Sequence, residues 1–143
     1  PNTGMAVITD IGNVADIHPR NKEEVGRRLS LWALAKTYNV DGLEYSGPLY
    51  QSMKVEGNKA VLTFAHADGL KSLDGKPLTW FTLAGEDRKF TEARAEIVGD
   101  TVVVRGDAVS QPVAVRFGWH ETAEPNFGNG AGLPASPFRT DRW

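Results

Sequence analysis

The chain contains no cysteine among its 143 residues. Disulfides and thiolate metal sites are therefore excluded, while the cellular compartment stays open. No apolar run is long enough to span a bilayer. Neither charge sign dominates: 16 basic residues face 18 acidic ones, for a net charge of -2. Nothing in that balance draws the chain to nucleic acid or to an anionic membrane surface. The sequence opens Pro1-Asn2-Thr3-Gly4, with neither an initiator methionine nor a cleavable signal pattern. No serine stands in a Gly-x-Ser-x-Gly elbow or in a Gly-Asp-Ser context.

What is present begins with Met5-Ala6-Val7-Ile8-Thr9, a short apolar run of the kind that forms a parallel strand buried on both faces. A helix-patterned stretch follows from Lys22 to Tyr38, so the segment reads as a βα unit. Asn21 is the expected N-cap, with Glu24 three residues on as its capping-box partner. Val25, Leu29, Trp32 and Ala33 mark one buried helix face, and Asn39 and Gly42 close the helix. A single parallel strand needs neighbours. The expectation is therefore a C-terminal piece of a larger enzyme whose sheet is completed by an upstream segment.

The texture changes after Gly42. Ser46-Gly47-Pro48 reads as a turn near a domain boundary. Strands are expected over Ser52–Glu56 and Ala60–Ala65 around Gly57-Asn58, and over Leu78–Ala84. Two more, Ala93–Val98 and Thr101–Arg105, flank Gly99-Asp100, and the last covers Val113–Trp119. Short strands with turns about every ten residues point to an antiparallel β-sandwich-like region. Glu124 to Trp143 is expected to be mostly irregular. The fold class is thus α/β plus all-β, with residues 1–42 ending an α/β domain and residues 43–143 forming the β region.

The loop between strand and helix, Asp10-Ile11-Gly12-Asn13-Val14-Ala15-Asp16-Ile17-His18-Pro19, holds the chemistry. In open α/β sheets, sites gather beyond the carboxyl ends of the strands. His18 is the candidate general base, since a general base must work near the operating pH, the role histidine most often fills, and Pro19 stiffens the loop behind it. Asp16 and Asp10 compete as the acid that orients it. His66 and His120 show no spacing that brings them together, so no metal or cofactor is expected. Glu86-Asp87-Arg88-Lys89 reads as a solvated turn. Trp80, Phe81, Phe117 and Trp119 sit in strands, where alternation places about half of such residues in a core.

The blocks Asp10-Ile11-Gly12-Asn13, Asp16-Ile17-His18-Pro19-Arg20 and Tyr45-Ser46-Gly47-Pro48-Leu49-Tyr50 resemble the C-terminal part of bacterial sialate O-acetylesterases, as do Ala84-Gly85-Glu86-Asp87 and Gly132 to Asp141. That family belongs to the SGNH-type serine hydrolases. The resemblance implies the final strand, loop and helix of a flavodoxin-like catalytic domain, followed by a β-sandwich accessory region. It implies a Ser-His-Asp mechanism on an O-acetylated sugar such as sialic acid, with His18 as the family histidine and the serine upstream of Pro1. The wider SGNH pattern puts aspartate three residues before the histidine. Ala15 stands there, and Asp16 at minus two is the substitute. The family also implies a periplasmic or secreted location and a metal-independent reaction. The alternative class is a non-catalytic β-sandwich module that binds carbohydrate, or a structural one. An exposed Trp80 or Trp119 platform away from His18 would favour carbohydrate binding.

Overall fold

A computed structural model describes residues 3–143. It is mostly antiparallel β structure with one helix. The elements run α1 (Lys22–Lys36), β1 (Leu49–Glu56), β2 (Lys59–Ala65), β3 (Lys71–Ser72), β4 (Phe81–Ala84), β5 (Phe90–Glu92), β6 (Arg94–Val98), β7 (Thr101–Arg105), β8 (Ala114–Phe117), β9 (Phe127–Gly128) and β10 (Phe138–Arg139). One four-stranded sheet has the order β1-β2-β7-β6 and a second the order β10-β8-β4-β5, while β3 and β9 form a small pair.

Local sequence explains the first sheet. Gly57-Asn58 and Gly99-Asp100 are two-residue turns, each with its glycine at positive φ, and they close the registers Glu56–Lys59 and Val98–Thr101. Turns of this kind match the right-handed twist of the strands they join. Alternation then buries Ala60, Leu62 and Phe64 of β2 and Val102 and Val104 of β7. The second sheet adds Phe81 and Leu83 of β4 and Val115 and Phe117 of β8 to the same core cluster, with Phe127 and Phe138. Phe81, Phe117, Phe127 and Phe138 meet with ring centroids 4.6–6.5 Å apart, the spacing at which tilted and edge-on rings attract.

Two expected strands are shorter than the apolar runs that announce them, for one reason. Trp80 has φ 64 and Gly118 φ 58, and a left-handed residue cannot continue a strand. The pair lies across the ladder, where the Gly118 N–H donates to the Trp80 carbonyl at 2.9 Å. The β4–β8 pairing therefore stops at Phe81 and Phe117.

The last twenty residues are irregular yet largely buried. Asn129 is fully buried. Its amide donates to the carbonyls of Ser46 (2.9 Å) and His66 (3.2 Å), and its oxygen accepts from the Leu133 N–H. A Cβ on Gly47 would collide with the Pro134 carbonyl, so the Gly47–Pro48 turn seats directly on the returning chain. Beyond it β10 pairs with β8, and Asp141 accepts two bonds of 2.9 Å from the Arg116 guanidinium.

The N-terminal part holds the expected helix and no sheet among the described residues. Met5–Thr9 runs beside α1, with its Met5 and Val7 carbonyls accepting from Trp32 Nε1 and Arg28. A strand exists only through neighbours, and the described residues present none to it. The expected buried helix face is also not buried: Leu29 is 51% exposed, Ala33 is exposed, and Arg28 is the buried residue of α1. The cap is as the sequence implies, the Asn21 oxygen accepting from the Glu24 N–H at 3.0 Å. The capping box does not close, because the Glu24 carboxylate is taken by Arg27 and Arg28. Residues Glu86–Lys89 form an exposed turn between β4 and β5.

Candidate active site

The Asp10–Pro19 loop is built from its own short-range bonds. The Ile11 N–H returns to the Ile8 carbonyl and the Asp16 N–H to the Asn13 carbonyl, both at 3.1 Å. The Asn13 side chain accepts from the Ala15 N–H. Asp16 Oδ1 accepts from the His18 backbone N–H at 2.9 Å and lies 3.0 Å from His18 Nδ1. One oxygen thus fixes both the backbone turn and the ring. These two bonds from His18, the backbone one foremost, hold the Asp16 carboxyl below its ordinary value of 3.8. An ionised Asp16 selects the tautomer with the proton on Nδ1 and leaves Nε2 as the acceptor. The His18 side chain is 77% exposed. Among the described residues, no other side chain hydrogen-bonds to it.

The two aspartates left open by the sequence have different partners. Asp10 makes a two-pronged ion pair with Arg28, at 2.6 and 2.7 Å. The same guanidinium reaches the Val7 carbonyl and Glu24. Arg28 is thus a clamp that ties the loop's first residue and the preceding run to the helix. Its only sequence signal is a basic residue four after Glu24. The pairing with Asp10, eighteen positions away, has no local mark. Arg27 first, and then Arg28, hold the Glu24 carboxyl down at about 2.

A cavity of about 300 Å³ lies beside the loop. Thr9, Asp16 and Ile17 line one wall, and Glu121, Ala123 and Glu124 the other. Thr9 Oγ1 is buried there without a partner. The other histidines are elsewhere. His66, at φ 57, meets Glu44 at 2.7 Å, and His120 meets Thr122 at 2.9 Å. Among the described residues, no group of three or more His, Asp or Glu is arranged to hold a metal. Of the four strand aromatics, Phe81 and Phe117 are buried while Trp80 and Trp119 are 40% and 50% exposed.

An antiparallel β chain with one helix and an Asp-His loop has a close structural counterpart. All of it superposes, with a TM-score of 0.95 and 48% identity, on a novel carbohydrate acetylesterase from Xanthomonas citri, covering 33% of that protein's chain. The chain is therefore homologous to part of a carbohydrate acetylesterase. More particularly, it is similar to sialate O-acetylesterases: 36% identical over 70 residues to the Homo sapiens enzyme and 34% to the Mus musculus enzyme, which is 46% of this chain and 13% of each relative. The likeness read from the sequence blocks is thus present in both sequence and structure. No family model matches the chain.

Proposed function

We propose that the chain is part of a carbohydrate O-acetylesterase in which His18 is the general base and Asp16 orients it. The observation that carries this reading is the 3.0 Å contact between His18 Nδ1 and Asp16, on an exposed loop beside a cavity. The names of the relatives support an acetylated carbohydrate as substrate, sialic acid or a related sugar. The nucleophilic serine lies on a segment upstream of residue 1, in keeping with the 33% of the solved relative that this chain covers. Residues 1–42 complete the SGNH-type α/β domain of that segment, and residues 43–143 form a β-sandwich-like accessory region.

The mechanism follows from the tautomer. His18 Nε2 takes the serine proton as the hydroxyl oxygen attacks the acetyl carbonyl. The imidazolium returns that proton to the departing sugar oxygen, leaving an acetyl-serine. Water, deprotonated by His18, then attacks the acetyl carbon; the bond to the serine oxygen breaks, the imidazolium returns the proton to that oxygen, and acetic acid leaves and ionises to acetate. Asp16 stays ionised throughout and stabilises the imidazolium.

The test is acetate release from O-acetylated sialic acid and from an acetylated neutral oligosaccharide, by protein carrying both the upstream segment and this chain. His18→Ala should lower turnover by about a thousandfold or more, with little change in binding of an unreactive analogue. Asp16→Asn should cost less, and Asp10→Asn least once circular dichroism shows that α1 is intact. Near wild-type turnover in folded His18→Ala protein would remove the catalytic reading.

A further inference from the structure

The end of the β4–β8 pairing carries a second constellation. Trp80 projects from a left-handed position, strained for a bulky side chain. The His120 ring lies nearly parallel to Trp80, centroids 6.1 Å apart and tilted by 25°. Trp119 is half exposed beside them, with the Arg139 guanidinium 5.5 Å from its ring centre. Together with Glu92 and Arg116 they line a groove of about 590 Å³, within the roughly 300–1,000 Å³ of small-ligand sites. Strain at a position that nothing in the core requires points to function. Trp80 fits that description, because it is Phe81 that enters the core. Asn126 holds the approach: its oxygen accepts from the Thr79 N–H at 3.0 Å, and its amide donates to Asp74 and to the Pro77 carbonyl.

Resting on the esterase reading, we infer that this groove is a subsite for a neutral pyranose unit of the acetylated glycan. Two exposed indoles beside hydrogen-bonding groups suit a sugar, whose ring has an apolar C–H face and a polar edge. The charges decide for a neutral one. Arg116 is already paired with Asp141, Arg139 lies 3.8 Å from the same carboxylate, and Glu92 adds a negative charge. Among the described residues, no unpaired Lys or Arg lines the groove to meet an acidic sugar. The position decides for the same substrate as His18. Trp119 and His120 face the groove while Glu121, Ala123 and Glu124 of the same turn wall the cavity beside Asp16. A hollow lined by Gly118, Trp119, His120, Glu121 and Pro137 shares Trp119 and His120 with the groove and Glu121 with that cavity. A glycan running along this turn from the cavity beside Asp16 would place a further unit over the indoles.

The test is titration of protein carrying both the upstream segment and this chain with non-acetylated cellohexaose, xylohexaose and mannohexaose, followed by the Trp80 and Trp119 indole N–H resonances. At least one neutral hexaose should shift the Trp80 and Trp119 signals with a millimolar midpoint, while N-acetylneuraminic acid leaves them in place. Trp119→Ala should weaken binding about tenfold or more. Trp80→Gly should do the same with an unchanged or raised thermal midpoint, since glycine accepts that backbone freely; a merely structural Trp80 would lower the midpoint instead. His18→Ala should bind the hexaose normally. No shift with any neutral hexaose up to about 20 mM, or equal binding of the acidic sugar, would overturn the inference. Hexaose binding is independent of turnover. A silent groove with active His18 removes only the subsite, and a binding groove with inactive complete protein removes only the esterase reading.

Discussion

Arg28 shows how much of the N-terminal part rests on one side chain. Its guanidinium is buried and holds Asp10, Glu24 and the Val7 carbonyl at 2.6–2.8 Å. Removing one partner of a buried ion pair leaves a poorly solvated charge. Asp10→Ala should therefore destabilise the N-terminal part by about 2 kcal/mol, Glu24 remaining as a second acceptor. Urea unfolding followed by helical circular dichroism measures it; an unchanged midpoint would mean that the clamp contributes nothing. Glu24 gives the same clamp a pH dependence. Its carboxyl sits at about 2 in the fold against an ordinary 4.5. A depressed carboxyl stabilises fully above its ordinary value and loses that contribution as pH falls through the folded one. Helix stability should thus decline between pH 4.5 and about 2, and Glu24→Gln should flatten that part of the profile. Asp16 and His18 differ from this clamp in their openness to solvent, with side chains 46% and 77% exposed.

At the scale of elements, the C-terminal return is the part whose role least matches its composition. Residues 124–143 form only the two-residue strands β9 and β10, yet the segment closes the core through Phe127, Phe138 and Asn129. Asn129→Ala would orphan the buried Ser46 and His66 carbonyls and the Leu133 N–H. It should cost about 2–4 kcal/mol in thermal or urea unfolding. Asp141→Ala, which leaves a partly exposed Arg116 unpaired, should cost about 2 kcal/mol. What was legible in the sequence follows the same division. The β1–β2 and β6–β7 hairpins announce themselves because a glycine-containing two-residue turn and alternation act over adjacent residues. The Asp16–His18 spacing is legible for the same reason. β3, β5, β9 and β10 are too short to show a period, and their partners lie far along the chain. Asp10–Arg28 and the Trp80–His120 stack depend on how separated segments meet, which no local pattern encodes. The helix face misled because its periodicity is genuine while, among the described residues, no element covers Leu29 and Ala33.

The open helix face belongs to a wider pattern in the molecule. Ile17 is 92% exposed, and Met5, Val14, Leu29, Leu34 and Tyr38 are also open to solvent. All belong to the first forty residues; the longer β region also exposes Val55, Val98, Trp80, Trp119 and Trp143, but it buries Phe64, Phe81, Phe117, Phe127 and Phe138 in one cluster. The N-terminal part reaches the β region through a narrow ladder, Trp32 edge-on to Tyr45 and Tyr45 edge-on to His66, each at 4.8 Å, with Lys36 over the Tyr45 ring. Exposed apolar side chains concentrated on one part mark a surface made to be covered, and the run Val7–Ile8 beside it has its carbonyls engaged but pairs in no ladder among the described residues, which favours association. The isolated 143-residue chain should therefore self-associate at micromolar to millimolar concentration. Its Val7 and Ile8 amides should exchange quickly in the dilute monomer. Supplying the upstream segment should suppress self-association and protect those amides together. Ile17→Ser with Leu29→Gln should reduce self-association by light scattering while leaving the thermal midpoint of the β region unchanged, because neither side chain belongs to its core. The same double substitution should weaken binding of the upstream segment. A monodisperse chain whose Val7 and Ile8 amides are protected without any partner would show that the N-terminal part is complete as it stands, and the covering surface would have to be abandoned.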